Sequence, residues 1–68
     1  MTLSTRNQLP GTVKSLVLGE VMAEVVIEAA GGATLVAAMT RGSAEGLNLK
    51  PGDGVKAIIK ATEVMIDK

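Results

Sequence analysis

The sequence contains no cysteine, no histidine and no aromatic residue. Without cysteine and histidine, the chain cannot form disulfides, the usual transition-metal ligand sets or the common nucleophile–base pairs of hydrolases. A serine–lysine pair remains chemically conceivable, but it needs a cleft that so small a domain barely offers. We therefore expect a protein that is not an enzyme.

Carboxylates are also too sparse for a site that binds a hard cation. The two aspartates, Asp53 and Asp67, lie far apart in the chain, and the glutamates are spread along it. Calcium and magnesium sites need several converging oxygen ligands. The sequence therefore predicts that no metal cation is bound directly.

An excess of charge of either sign is missing as well, since seven basic residues balance seven acidic ones. Such a chain has no field that attracts nucleic acid or an anionic membrane, and it lacks the aromatic platforms on which single-stranded nucleic acid stacks. No apolar run approaches the roughly 20 residues needed to span a bilayer, and the N-terminus lacks a secretory signal. We expect a cytoplasmic protein with no nucleic-acid or membrane partner.

The chain is short, and its length suggests how it is stabilised. Its 68 residues allow one domain, residues 1–68, and the 47% of apolar residues are all aliphatic or methionine. A domain of this size buries only about 60% of the surface of its unfolded chain. Because disulfides and structural metals are excluded, association with further copies of the chain is the remaining way to stabilise so small a domain. We expect a homo-oligomer.

Short segments of alternating apolar and polar residues, separated by turn signals, predict five strands. The expected strands are residues 6–17, 21–28, 33–40, 55–60 and 62–66. Gly31-Gly32 predicts a type I′ hairpin turn, Pro51-Gly52 predicts a type II turn, and Ser43 is expected to cap a helical turn over residues 44–47. This order predicts an all-β fold, a small OB-like antiparallel five-stranded barrel with one short helical turn.

Three polar clusters could bind an anion through hydroxyl groups, N–H groups and compensating cations. They are Ser4–Gln8, Thr40–Ser43 and Lys60–Thr62. Each also has an ordinary interpretation, namely a solvated terminus, a helix cap and a charge that protects a sheet edge. The clusters together favour a binding role, but they do not name the ligand.

The two terminal clusters carry a paired sequence pattern. Ser-x-Arg-Asn-Gln-Leu at residues 4–9 is combined with Lys-x-Thr-Glu-Val-Met at residues 60–65. Together with Gly-Thr-Val at residues 11–13 and Ala-Glu-Val at residues 23–25, this pair resembles the molbindin family of small molybdate-binding proteins, the Mop family with its TOBE-type domain. The resemblance covers essentially the whole chain.

The resemblance implies an OB-like barrel that assembles into a hexamer, a trimer of dimers, and binds molybdate or tungstate at subunit interfaces without an organic cofactor. Carried over position by position, it assigns oxyanion binding to Ser4, Thr5, Arg6, Asn7, Lys60 and Ala61, and by a weaker match to Thr40 and Ser43. Ala61 departs from the serine that commonly follows this lysine, and Thr5 replaces the more usual alanine. We expect a site that is altered but retained.

The role implied by the resemblance is intracellular storage and homeostasis of molybdate without catalysis. The alternative is an anion-responsive oligomeric interaction or regulatory module, and a third possibility is a structural subunit that binds no ligand. In the family, regulatory roles belong to chains with an additional DNA-binding or ATPase domain, for which 68 residues leave no room.

Overall fold

The computed structural model describes residues 6–68, and its main element is one antiparallel sheet. The strands β1 (Asn7–Leu18), β2 (Met22–Ala29), β3 (Thr34–Thr40) and β4 (Gly54–Ile59) are ordered β3-β2-β1-β4. One short helix, α1 (Arg41–Gly46), connects β3 to β4. The sheet curls into a half-barrel, which confirms the predicted all-β, OB-like class with a single short helix. No helix in residues 6–68 has the length and apolar character needed to span a membrane.

β1 is the strand shared by both halves of the sheet. Its first half pairs with β4, beginning with Asn7 opposite Ile59, whereas its second half pairs with β2. Gly11 belongs to both ladders, and a Cβ added to it would lie 2.7 Å from the carbonyl oxygen of Glu28 and 2.9 Å from Cγ2 of Ile27. A residue without a side chain therefore allows β1 and β2 to approach closely at the point where β4 joins.

The core of the chain is thin and entirely aliphatic. Its buried residues are Val13, Ala23, Val25, Ile27, Ala29 and Ala44. β2 supplies four of them at every second position, as expected for a strand with one face turned inward. Among the residues that the structure describes, only Val13 and Val25 are large side chains with less than 2% exposure. Full burial of a valine contributes only about 1.5–3 kcal/mol, so one chain gains little stability from its own core.

The connection between β2 and β3 uses the two glycines that the sequence pointed to. Gly31 and Gly32 have φ angles of 87° and 88°, as a tight reversal requires. The connection is longer than the predicted two-residue turn, because Ala30–Gly32 forms a 3-10 turn and the N–H of Ala29 donates to the carbonyl of Ala33 at 2.7 Å. The predicted position of the reversal is confirmed, but the connection contains more residues than the predicted two-residue turn.

α1 begins earlier than the sequence suggested. Thr40, not Ser43, is the N-cap: its Oγ1 accepts the N–H of Ser43 at 3.1 Å, and its hydroxyl donates to Oγ of Ser43 at 2.8 Å. Both residues can cap a helix, and the end of β3 at Thr40 decides between them, because the cap residue is the last one with extended φ and ψ angles. The predicted cap at Ser43 is therefore wrong by three positions.

Two turns bring the chain from α1 back to the sheet. Asn48 adopts a left-handed φ of 53°, and its N–H donates to the carbonyl of Glu45 at 2.9 Å, which closes the helix as a C-terminal cap. The predicted turn before β4 is confirmed: Gly52 has a φ of 94°, and the N–H of Lys50 donates to Oδ2 of Asp53 at 2.9 Å. These local hydrogen bonds set the point at which β4 begins.

The prediction of a fifth strand at residues 62–66 is wrong for the single chain. Ala61–Glu63 forms a 3-10 turn, closed by the N–H of Glu63 donating to the carbonyl of Lys60 at 2.9 Å. The following segment, residues 64–68, has no strand assignment, and Met65 and Ile66 are 93% and 91% exposed. A strand-like sequence becomes a strand only when it pairs with an edge, and this segment pairs with none in its own chain.

Candidate anion-binding site

The ladder between β1 and β4 brings the two terminal clusters together. Asn7, the first residue of β1, pairs with Ile59, the last residue of β4. Arg6 directly precedes β1 and Lys60 directly follows β4, so the antiparallel register brings these two positions to the same end of the ladder. The structure thus joins two clusters that lie at opposite ends of the sequence.

Neither cation is neutralised by the part of the chain that the structure describes. Within residues 6–68 the one ion pair joins Nε of Arg41 to Oε2 of Glu45 at 3.5 Å, and it lies on α1. Arg6 and Lys60 are both exposed. Neighbouring like charges on one face of a sheet repel each other, and a dianion bound between them would replace this repulsion with charge-assisted hydrogen bonds.

Backbone donors lie next to the lysine. Lys60 is the extended N-cap residue of the turn Ala61–Glu63, with φ of −62° and ψ of 135°, and its side chain makes no capping hydrogen bond. The first N–H groups of such a turn have no acceptor within the turn. Ala61 therefore brings a backbone N–H next to Lys60, although it lacks the hydroxyl that serine would add.

Two of the predicted donors, Ser4 and Thr5, lie outside the described residues. Their cluster is represented in the structure by Arg6, Asn7 and Gln8.

The third cluster is separated from the other two within one chain. Thr40 pairs with Met22, close to the turn that follows the C-terminal end of β1. Asn7 lies at the opposite end of β1, because it is the first residue of that strand. The hydroxyls of Thr40 and Ser43 are hydrogen-bonded to each other as the cap of α1. The structure therefore gives these two residues the ordinary role of a helix cap and does not bring them to Lys60.

The arginine of the third cluster has a structural role as well. Nη1 of Arg41 donates to the carbonyl of Gly19 at 3.2 Å, and its backbone N–H donates to the carbonyl of Val21 at 2.7 Å. Together with the ion pair to Glu45, these bonds tie α1 to the turn between β1 and β2. The guanidinium of Arg41 is thus already bound within the chain.

The sequence clusters did not include Lys56, which the fold relates to Lys60. Exposed and partly buried residues alternate along β4, and Lys56, Ile58 and Lys60 are exposed in turn. Residues two and four positions apart on a strand share a face, so Lys56 lies on the same face of the ladder as Lys60. This spacing was present in the sequence, but it becomes informative only once β4 is known to pair with β1.

Comparison with known proteins finds similarity over almost the entire chain. The sequence model of the TOBE domain family matches residues 3–66. Molybdenum-pterin-binding protein 1 of Clostridium pasteurianum is 46% identical over 66 residues, which is 97% of each chain. The probable molybdenum-pterin-binding protein of Haemophilus influenzae is 44% identical over 66 residues, covering 97% of this chain and 96% of the relative.

Solved structures show the same relationship. A molybdate-binding protein from Sporomusa ovata matches with a TM-score of 0.91 and 48% identity over 100% of both chains. The cytoplasmic molybdate-binding protein ModG, in a form with molybdate bound, matches with a TM-score of 0.81 and 43% identity over 90% of this chain and 43% of ModG. The match to the Sporomusa ovata protein spans the whole sheet.

Proposed function

The chain belongs to the TOBE domain family, and from this premise we propose that it binds molybdate or tungstate as an intact oxyanion for intracellular storage and homeostasis. The observation that carries the proposal is the register of β1 and β4, which brings Arg6 and Lys60 to the same end of the ladder in a chain 48% identical to a molybdate-binding protein over its full length. The protein holds the anion and releases it chemically unchanged, in the cytoplasm.

The chemistry of the site suits a tetrahedral dianion. The guanidinium of Arg6 offers planar paired donors, the ammonium of Lys60 offers a compact charge, and Asn7 and the N–H of Ala61 offer neutral donors. Ser4 and Thr5 add hydroxyl donors to the same terminal cluster in this proposal. An interface between subunits lowers the local dielectric and strengthens each charge interaction with the anion.

Several relatives are named for binding a molybdenum pterin, and this chain favours the bare oxyanion. A flat pterin ring is recognised best by stacking on an aromatic side chain, as nucleic-acid bases are. The chain has no phenylalanine, tyrosine or tryptophan. Molybdate free of any pterin should therefore be sufficient for binding.

Exposed apolar side chains support the proposal that the protein is an oligomer. A thin core is accompanied by many large hydrophobic residues at the surface, and such surfaces mark interaction sites. Within residues 6–68, those more than 40% exposed are Leu9, Val17, Leu18, Val21, Met22, Val36, Leu47, Ile58, Val64, Met65 and Ile66. A closed, symmetric assembly covers surfaces of this kind, and for this chain we propose a hexamer built as a trimer of dimers.

We expect the purified protein to sediment as a hexamer, with six times the 6.9 kDa mass of the chain. The reason is that the core of one chain is too small to hold it folded by itself. Sedimentation equilibrium or light scattering at micromolar concentration measures this mass. A stable monomer under these conditions would rule out the proposed assembly.

We also expect molybdate and tungstate to raise the melting temperature. A ligand that binds only the folded assembly stabilises it by about 1.4 kcal/mol at ten times its dissociation constant, which amounts to several degrees for a domain of this size. Phosphate and chloride at the same concentration serve as controls and should have a much smaller effect. Scanning calorimetry measures the shift, and an unchanged melting temperature in saturating molybdate would contradict the proposed function.

A further inference from the structure

Three charged residues border a groove of about 500 Å³ that lies between β3 and β4. Two are the lysines Lys56 and Lys60, and the third is Glu63, in the turn after β4. All other residues of the lining are aliphatic or methionine. Charges beside apolar walls interact more strongly than charges surrounded by water. In the described part of the chain, Glu63 is the one carboxylate at this groove.

The turn after β4 ties Glu63 to Lys60. Lys60 is the extended residue before the 3-10 turn Ala61–Glu63, and its carbonyl accepts the N–H of Glu63 at 2.9 Å. Because 3-10 geometry repeats every three residues, a hydrogen bond of this kind keeps two residues three positions apart close together. The carboxylate therefore belongs to the surroundings of the lysine to which the proposed function assigns the anion.

This carboxylate is not neutralised by a cation of the described chain. Within residues 6–68 the one ion pair joins Arg41 to Glu45, so Glu63 forms none with Lys60. Glu63 is exposed, and its turn has no side-chain capping hydrogen bond at its N-terminal end. The negative charge of Glu63 thus acts on any anion that approaches Lys60.

We propose that Glu63 limits the affinity of the anion site, because its carboxylate repels a dianion bound at Arg6 and Lys60. The proposal rests on the proposed function and adds the control of release. Two cations attract the dianion at the end of the β1–β4 ladder, and Lys56 adds to the attraction from the same face of β4. A protein that stores an anion must also let it go, and an opposing charge at the site keeps binding reversible.

The opposite role for Glu63 would be to orient the ammonium of Lys60 through an ion pair and so to strengthen binding. The absence of such a pair in residues 6–68 favours repulsion over orientation. The two roles predict changes of opposite sign when the carboxylate is removed, so a single substitution distinguishes them.

Isothermal titration calorimetry of molybdate into Glu63→Gln is the test. Glutamine keeps the size of the side chain and removes its charge. We expect the dissociation constant for molybdate to fall by about fivefold or more, because like charges brought together at an interface oppose binding. Glu63→Ala, a second variant without the charge, should also bind more tightly, whereas Glu63→Asp should bind less tightly than Glu63→Gln. Unchanged or weaker binding by Glu63→Gln would overturn the proposal.

Glu20→Gln is the matched control. Glu20 is exposed and follows the C-terminal end of β1, whereas Asn7 at the other end of that strand marks the site. The substitution changes the net charge by the same amount, and it should leave the affinity for molybdate unaltered. If it tightened binding as much as Glu63→Gln, the effect would belong to the overall charge and the proposal would be wrong. Sedimentation velocity verifies that all variants have the same mass.

Salt separates repulsion from a structural effect of the substitution. The advantage of Glu63→Gln over the unaltered protein should shrink between about 0.01 M and about 1 M salt, because the Debye length falls from about 30 Å to about 3 Å. An advantage that stayed constant over this range would contradict an electrostatic origin.

The unaltered protein in the same titrations separates this inference from the proposed function. If the unaltered protein binds molybdate and Glu63→Gln binds it no more tightly, the role of Glu63 is wrong and the proposed function stands. If neither protein binds molybdate, both the proposed function and the role of Glu63 fail.

Discussion

Replacing Arg6 by alanine, or Lys60 by methionine, is expected to weaken molybdate binding at least thirtyfold. The positions of the two cations lie at the same end of the β1–β4 ladder, and a dianion held between them in an interface loses a desolvated charge partner in either variant. Such a loss costs about 2 kcal/mol or more, which corresponds to this factor. Isothermal titration calorimetry with molybdate measures it directly.

Lys14→Ala is the matched control, because Lys14 is an exposed cation at the irregular step of β1 between Val13 and Ser15, away from the site. Its affinity for molybdate should equal that of the unaltered protein. The stability of the anion-free protein should change by no more than about 0.5 kcal/mol in all three variants, as is usual for exposed positions. Equal affinities in the three variants would refute the assignment of the site.

Gly11→Ala is expected to destabilise the protein by about 2–3 kcal/mol, because the added methyl group cannot fit between β1 and β2. Its Cβ would lie 2.7 Å from a backbone oxygen and 3.1 Å from the Cα of Ala29, so the strands themselves must move. Urea denaturation measures the change in the free energy of unfolding. The protein concentration is kept fixed, because the contribution of assembly to stability depends on it.

Gly42→Ala is the contrasting control for this experiment. Gly42 lies within α1, has no positive φ, and a Cβ there would meet nothing within 4 Å. Alanine is the better helix former, so this variant should gain up to about 1 kcal/mol. If both glycine variants were equally stable, the close approach at Gly11 would have no energetic consequence, contrary to the structure.

Local features of the fold could be predicted from the sequence where one residue type decides the conformation. The alternation of apolar and polar residues identified β2 as a strand, the glycines at 31 and 32 identified a reversal, and Gly52 identified the turn before β4. The cap of α1 was misplaced because Thr40 and Ser43 have equivalent capping side chains, and only the end of β3 distinguishes between them.

Features that depend on pairing could not be predicted in the same way. The sequence 62–66 has the composition of a strand, but whether it becomes one depends on an edge that its own chain does not bring to it. The candidate site shows the same dependence. Arg6 and Lys60 were identified separately as members of polar clusters, and the register of Asn7 with Ile59 is what makes them neighbours.

The division of β1 between two partners also determines the order in which the chain gains structure. The ladders of β1 with β2 and of β2 with β3 join strands that follow each other in the sequence, whereas the ladder of β1 with β4 joins the two ends of the chain. Loop-closure entropy makes such long-range pairing the slow step of folding. The three-strand meander can therefore form early, while the end of the sheet that carries Arg6 and Lys60 forms last. In a single chain this end is expected to open in local fluctuations before the meander does, so the residues proposed to hold the anion lie at the less protected end of the sheet.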